Sequence, residues 1–160
     1  SFYYFKQQKI DIAIIETGLG GRLDSTNIIT PLLSIISTIG KDHENILGNS
    51  IEEIAFEKAG IIKENTPTII GTQITGDALR VIERVAKERK STLHIADKYG
   101  HETDLKGDFQ KINTGIVSKT FKIKYDNFIN PSKKGIIKCF KKHITKRKMG
   151  NIKYKTINYC

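Results

Sequence analysis

The segment Ser50-Ile51-Glu52-Glu53-Ile54-Ala55-Phe56-Glu57-Lys58-Ala59-Gly60-Ile61-Ile62 decides the fold. Ser50 and Glu53 form a capping box. The serine hydroxyl can accept from the third helical N–H, and the glutamate can reach back to the N-cap N–H. Ile51, Ile54, Ala55, Lys58, Ile61 and Ile62 then share one face at helical spacing. Downstream, residues 67–71 read as a short strand, 76–90 as an amphipathic helix and 92–96 as another strand. Upstream, residues 10–16 (Ile-Asp-Ile-Ala-Ile-Ile-Glu) and 32–39 (Leu-Leu-Ser-Ile-Ile-Ser-Thr-Ile) are apolar runs suited to strands buried on both faces. A Gly/Asp/Ser/Asn loop, residues 17–31, lies between them and closes at Pro31, with no helix evident before that proline. Strands alternating with helices predict an α/β layer fold, a mostly parallel sheet flanked by helices. Residues 109–118 and 131–143 are further helical candidates, the second opened by Asn130-Pro131.

The totals fit one soluble domain. The chain has 160 residues, 38% hydrophobic and 28% charged, which is enough for a real core. No stretch reaches the roughly 20 apolar residues of a membrane span. The start, Ser1-Phe2-Tyr3-Tyr4-Phe5, lacks the basic segment and cleavage pattern of a signal peptide and lacks an initiator Met, so it reads as mid-protein. Cys139 and Cys160 form neither a disulfide framework nor a metal spacing, so a reducing cytoplasm is the simplest compartment. The net charge of +10 is uneven. Residues 119–160 hold thirteen Lys/Arg against one acid, Asp126, whereas residues 1–118 hold fourteen against sixteen. A basic tail of this kind can meet nucleic acid or simply be a solvated surface, and it carries no recognisable nucleic-acid motif.

Polar groups fall near the carboxyl ends of the predicted strands, where open parallel sheets gather ligands. Glu16 closes the first strand and His43 follows the second, while Lys58 lies on the inner face of the helix. A carboxylate with water and phosphate oxygens suits Mg²⁺, and histidine is a less usual ligand for it. Burial disfavours an ammonium, and a neutral amine can take up carbon dioxide as an anionic, cation-binding carbamate. Each group also has a plain structural reading. Glu16 could anchor a loop through backbone N–H bonds, and His43 could make a loop hydrogen bond. Lys58 could snorkel from the helix edge or pair with Glu57 or Glu53. The loop Gly18-Leu19-Gly20-Gly21-Arg22 is not a dinucleotide fingerprint, because Leu23 stands where the third glycine belongs. No Gly-Lys-Ser/Thr occurs in the chain, so no Walker-type phosphate loop is present in it. The hydrogen-bonding crowd at Asp24, Ser25, Thr26 and Asn27 suits a pocket for something other than pyrophosphate.

Residues 16–27, Glu-Thr-Gly-Leu-Gly-Gly-Arg-Leu-Asp-Ser-Thr-Asn, closely resemble the signature of the folylpolyglutamate synthase/dihydrofolate synthase family, within the Mur ligase superfamily. Gly40-Lys41-Asp42-His43 with Leu47-Gly48 resembles the family's second motif, and residues 54–63 resemble its third. The strong match covers residues 1 to about 73. A weaker one follows at residues 105–113, which contain Gln110 and Asn113. Residues 143–160 echo the end of the ATPase domain, with Arg147-Lys148-Met149 in place of the family's Gly-Arg.

The resemblance implies a partial Mur-ligase-type central ATPase domain. Residues 1–118 would be the part lacking the phosphate loop, and 119–160 a basic, degenerate end of the same domain. It implies ATP-dependent ligation of L-glutamate to a folate or dihydropteroate carboxylate through an acyl phosphate. Glu16, His43 and Lys58, the last as its carbamate, would bind Mg²⁺ and serve catalysis. Leu23, Asp24 and Ser25, with Arg22, would line the pterin pocket, and Asn113 and Gln110 would contact ATP. A cytoplasmic monomer without membrane or nucleic-acid partners is expected. The family's phosphate loop would precede residue 1 and its glutamate-binding domain would follow residue 160, so the isolated chain is expected to lack ligase activity. Two alternatives stand beside this reading: a basic nucleic-acid-binding module, or a decayed gene product.

Overall fold

A computed structural model describes residues 2–9, 12–41, 43–98 and 107–125. The predicted helix at 131–143, the degenerate end of the ATPase motif, both cysteines and most of the basic tail lie outside these residues. The described elements run α1 (Phe2–Gln7), a 3₁₀ turn (Ser25–Ile28), β1 (Ser34–Ile36), α2 (Glu44–Leu47), α3 (Ile51–Ala59), β2 (Thr68–Ile70), α4 (Gly76–Glu88), β3 (Leu93–Ile95) and α5 (Phe109–Tyr125).

The three strands form one parallel sheet in the order β1-β2-β3, with Ile35 opposite Ile69 and Ile36 opposite Ile70. Parallel neighbours need crossovers, and crossovers of one hand in a monotonic strand order place their helices on one face. Accordingly α3 and α4 pack together on the face carrying Ile36 and Ile70. Their buried stripes are Ala55, Ala59 and Ile62 from α3 and the turn after it, and Ala78, Val81, Ile82, Val85 and Ala86 from α4. The alternate residues, Ile35 and Ile69, face the other way. There Ile116 and Ile123 of α5 join them with Leu33 and Ala96. The result is three layers, helices on both sides of the sheet.

The capping box at α3 is present as the sequence predicts. Glu53 N donates to Ser50 Oγ at 3.1 Å, and Ser50 N donates to Glu53 Oε2 at 3.2 Å. The strands at 32–39, 67–71 and 92–96 also form, each trimmed to three residues.

Several expectations need correction. Residues 12–16 are not a strand: they pair with no described strand, and Ile12 is 44% exposed. An apolar run becomes a strand only when a neighbour satisfies its backbone. The 17–31 loop does contain a helical turn, the 3₁₀ segment capped by Asp24. Residues 44–47, unassigned from sequence, form the short helix α2. The helix predicted at 109–118 continues to Tyr125, so the compositional boundary between residues 118 and 119 falls inside α5.

A candidate ligand site at the Gly18–Asn27 loop

The loop is organised by one carboxylate. Asp24 accepts from Gly18 N at 2.8 Å, Leu19 N at 3.1 Å and Thr26 N at 2.8 Å, and from the Thr26 hydroxyl. These bonds favour the ionised form. The Thr26 hydroxyl does most, burial opposes it, and the backbone N–H groups of Thr26, Leu19 and Gly18 add to it, holding the carboxyl at a pKa of about 2. A depressed folded pKa means stabilisation that is full above the unfolded value of 3.8 and lost as pH falls towards about 2. The amide resonances of Leu19 and Thr26 should therefore titrate with a midpoint near 2 in NMR spectra. A midpoint near 3.8 would show the carboxylate free of these bonds. Asp24→Ala should loosen the loop by about 1.5 kcal/mol, the low end for charged hydrogen bonds because solvent shares this surface.

The loop docks on the end of α3. Arg22 N donates to Glu57 O at 2.7 Å, and Arg22 Nε and Nη2 both donate to Glu57 Oε1, at 3.1 and 2.9 Å. The guanidinium lies 5.7 Å from the centre of the Phe56 ring, within cation–π range. Asn27 Nδ2 donates to Arg22 O at 3.0 Å and Gly60 O at 3.1 Å, while Lys63 Nζ donates to Asn27 O at 2.8 Å. Two glycines allow the approach. A β-carbon on Gly21 would sit 2.9 Å from Glu57 O and 3.0 Å from Lys58 O, and one on Gly60 would strike the Arg22 backbone. On its other side the loop meets α2, where a β-carbon on Gly20 would lie 2.7 Å from Leu47 Cδ2.

This docking sets Gly20 against α2, the helix that His43 precedes, and Gly21 against the α3 turn that holds Lys58. Glu16 is exposed, two residues before Gly18. His43 is exposed in a left-handed conformation (φ 52°) at the N-cap of α2, its carbonyl accepting from Ile46 and Leu47. Lys58 is half-buried in the last turn of α3, its carbonyl against Gly21. Among the described residues no three His, Cys, Asp or Glu side chains cluster to cage a metal. A carboxylate is a donor of the kind Mg²⁺ takes, with water and phosphate completing its shell, and an imidazole is a less usual one.

Of the predicted substrate residues, Leu23 is 78% exposed and Ser25 is exposed, and Ile28 (79%) and Leu32 (73%), further along the chain, are exposed apolar side chains too. Asp24 and Arg22 are engaged within the protein, as described. Gln110 and Asn113 stand apart on α5, on the opposite face of the sheet from α3, where Asn113 Nδ2 donates to Gln110 Oε1 at 3.3 Å. Sequence reading missed Asn27, Glu57 and Lys63 as loop anchors. Glu57 carried a signal as a possible partner for a lysine, and Asn27 as one of the loop's hydrogen-bonding groups. An open groove of about 530 Å³ between α2, α3 and α4 shares Phe56 and Glu57 with this site.

No protein-family model matches the chain. Among curated proteins it is 57% identical over 101 residues to the dihydrofolate synthase/folylpolyglutamate synthase of Bacillus subtilis, covering 60% of this chain and 23% of that protein. It is 35% identical over 146 residues to the folylpolyglutamate synthase of Lacticaseibacillus casei, covering 76% of this chain and 34% of that protein. A solved complex of folylpolyglutamate synthase with AMPPCP and folate superposes with a TM-score of 0.77 at 28% identity, covering 87% of this chain and 40% of that one. The chain thus spans less than half the length of the proteins it matches. Three parallel strands between helical layers, with this loop docked on them, make up part of a Mur-ligase-type α/β fold. The homologues of the chain are the folylpolyglutamate and dihydrofolate synthases, and it corresponds to a portion of that family's length.

Proposed function

We propose that the chain supplies the folate-side and metal-side elements of an ATP-dependent ligase that joins L-glutamate to a folate or dihydropteroate carboxylate. The substrate carboxylate takes the γ-phosphoryl group of ATP, releasing ADP. The glutamate amine then attacks the acyl carbon and phosphate leaves. Chemistry of this kind depends mainly on positioning and charge neutralisation. Glu16, His43 and carbamylated Lys58 would hold Mg²⁺, which supplies charge neutralisation at the phosphates. The exposed Leu23 and Ser25, on the rigid loop made by Asp24 and Arg22, would receive the pterin. Gln110 and Asn113 would approach the nucleotide from α5. We place the enzyme in the cytoplasm as a monomer.

The observation that carries this reading is the close packing of the Gly20–Gly21 backbone between Leu47 of α2 and the Glu57–Lys58 turn of α3. It supports the reading by setting the loop that follows Glu16 against the helix that His43 precedes and the turn that holds Lys58. A chimera tests it, with the 101 matched residues replacing their counterpart in the Bacillus subtilis synthase. The chimera should form ADP and glutamylated product within about tenfold of the parent rate, a change of under about 1.4 kcal/mol in barrier. A chimera that folds and binds ADP but makes no product would refute the proposal.

A further inference from the structure

We infer that Arg22 and Glu57 form a positioning clasp that holds the Gly18–Asn27 loop against the Lys58 turn, and that Arg22 is not a free cation for ligand. Its consequence for catalysis rests on the function proposed above.

Three features lead there. First, the pair is doubly made. The Arg22 backbone N–H bonds the Glu57 carbonyl at 2.7 Å, and the guanidinium bonds the Glu57 carboxylate through two nitrogens. Backbone and side chain thus register together, across 35 residues of sequence. Second, the pair is partly withdrawn from water, with side-chain exposures of 44% for Arg22 and 19% for Glu57. An Arg22 that swung out towards a ligand would leave the mostly covered Glu57 carboxylate without its two guanidinium donors. Third, independent ties share the load: the Phe56 ring beside the guanidinium, Asn27 on Gly60 O, and Lys63 on Asn27 O. Glu57 immediately precedes Lys58, so a shift of the loop and a shift of the Lys58 turn are the same motion. Glu57 acts through Arg22 and Lys58, as a positioning residue.

The clasp is tested on the full 160-residue chain by hydrogen–deuterium exchange, with no activity involved. Glu57→Gln and Arg22→Lys should each speed exchange at Gly18, Leu19 and Arg22 about tenfold, the loss of roughly one charged hydrogen bond. Exchange in α4 and the urea midpoint should hold. The double exchange Arg22→Glu with Glu57→Arg should recover part of the protection. Unchanged loop exchange in both single variants would overturn the clasp. So would a parallel rise in α4, since that reports global loosening.

In the chimera, Glu57→Gln should lower kcat/KM for the pterin substrate about tenfold with the KM for ATP unchanged. A fall confined to the KM for ATP would overturn the positioning role. If the unsubstituted chimera is itself inactive, the functional proposal fails, while exchange still decides the clasp.

Discussion

Gly71→Ala should destabilise the chain by about 3 kcal/mol, the upper end of the usual cost of overpacking. Gly71 is buried just past β2, and its N–H donates to Ile36 O at 2.9 Å, extending the β1–β2 ladder by one residue. A β-carbon there would strike the Ser37 carbonyl, and Ile116 Cδ1 of α5 lies 3.7 Å away on the other layer. Backbone cannot step aside as the tip of a side chain can, so the strands must part or the ladder must break. The displaced segment, Ser37 to Gly40, leads into His43, and the ligand site would loosen with it. Gly40→Ala is the control: nothing lies within 4 Å of a β-carbon there, and its cost should stay within about 0.5 kcal/mol. Urea midpoints of the two variants make the comparison. Equal midpoints would show that the sheet yields at Ser37.

Lys58→Met in the chimera should cut glutamate ligation about 10²- to 10³-fold while leaving stability nearly intact. Lys58 is only half-buried, and a methionine preserves most of its apolar stem. Stability and activity therefore separate at this position. A variant with parental turnover would remove the lysine from the reaction.

Local signals made much of the fold legible. The Ser50–Glu53 box and the apolar face behind it place α3 to within a residue of its start. Short β-branched runs locate β1 and β2, which are largely buried and take in Ser34 and Thr68 beside their isoleucines, while the half-exposed β3 shows as Leu93-His94-Ile95. Residues 10–16 share that composition yet form no strand over 12–16, since composition says nothing about which neighbour will supply hydrogen bonds. The Lys-rich stretch from 119 hid the second half of α5, although Ile116 and Ile123, seven residues apart, share its buried face. The site divides in the same way. The loop itself is readable from its motif and position. Asp24 is recognisable as a loop residue, and its fourfold acceptance of loop donors emerges only in three dimensions. The Arg22–Glu57 pair and the Lys63–Asn27 tie join residues more than thirty apart, and no periodicity carries such a pairing.

The most direct measurement is a crystal of the full chain soaked in Mn²⁺ with bicarbonate, read by anomalous scattering. The account expects one peak at about 2.1 Å from oxygen of Glu16 and nitrogen of His43, with added density on Lys58 Nζ facing it. Unmodified Lys58, with the three groups too far apart for one ion to reach them, would contradict it.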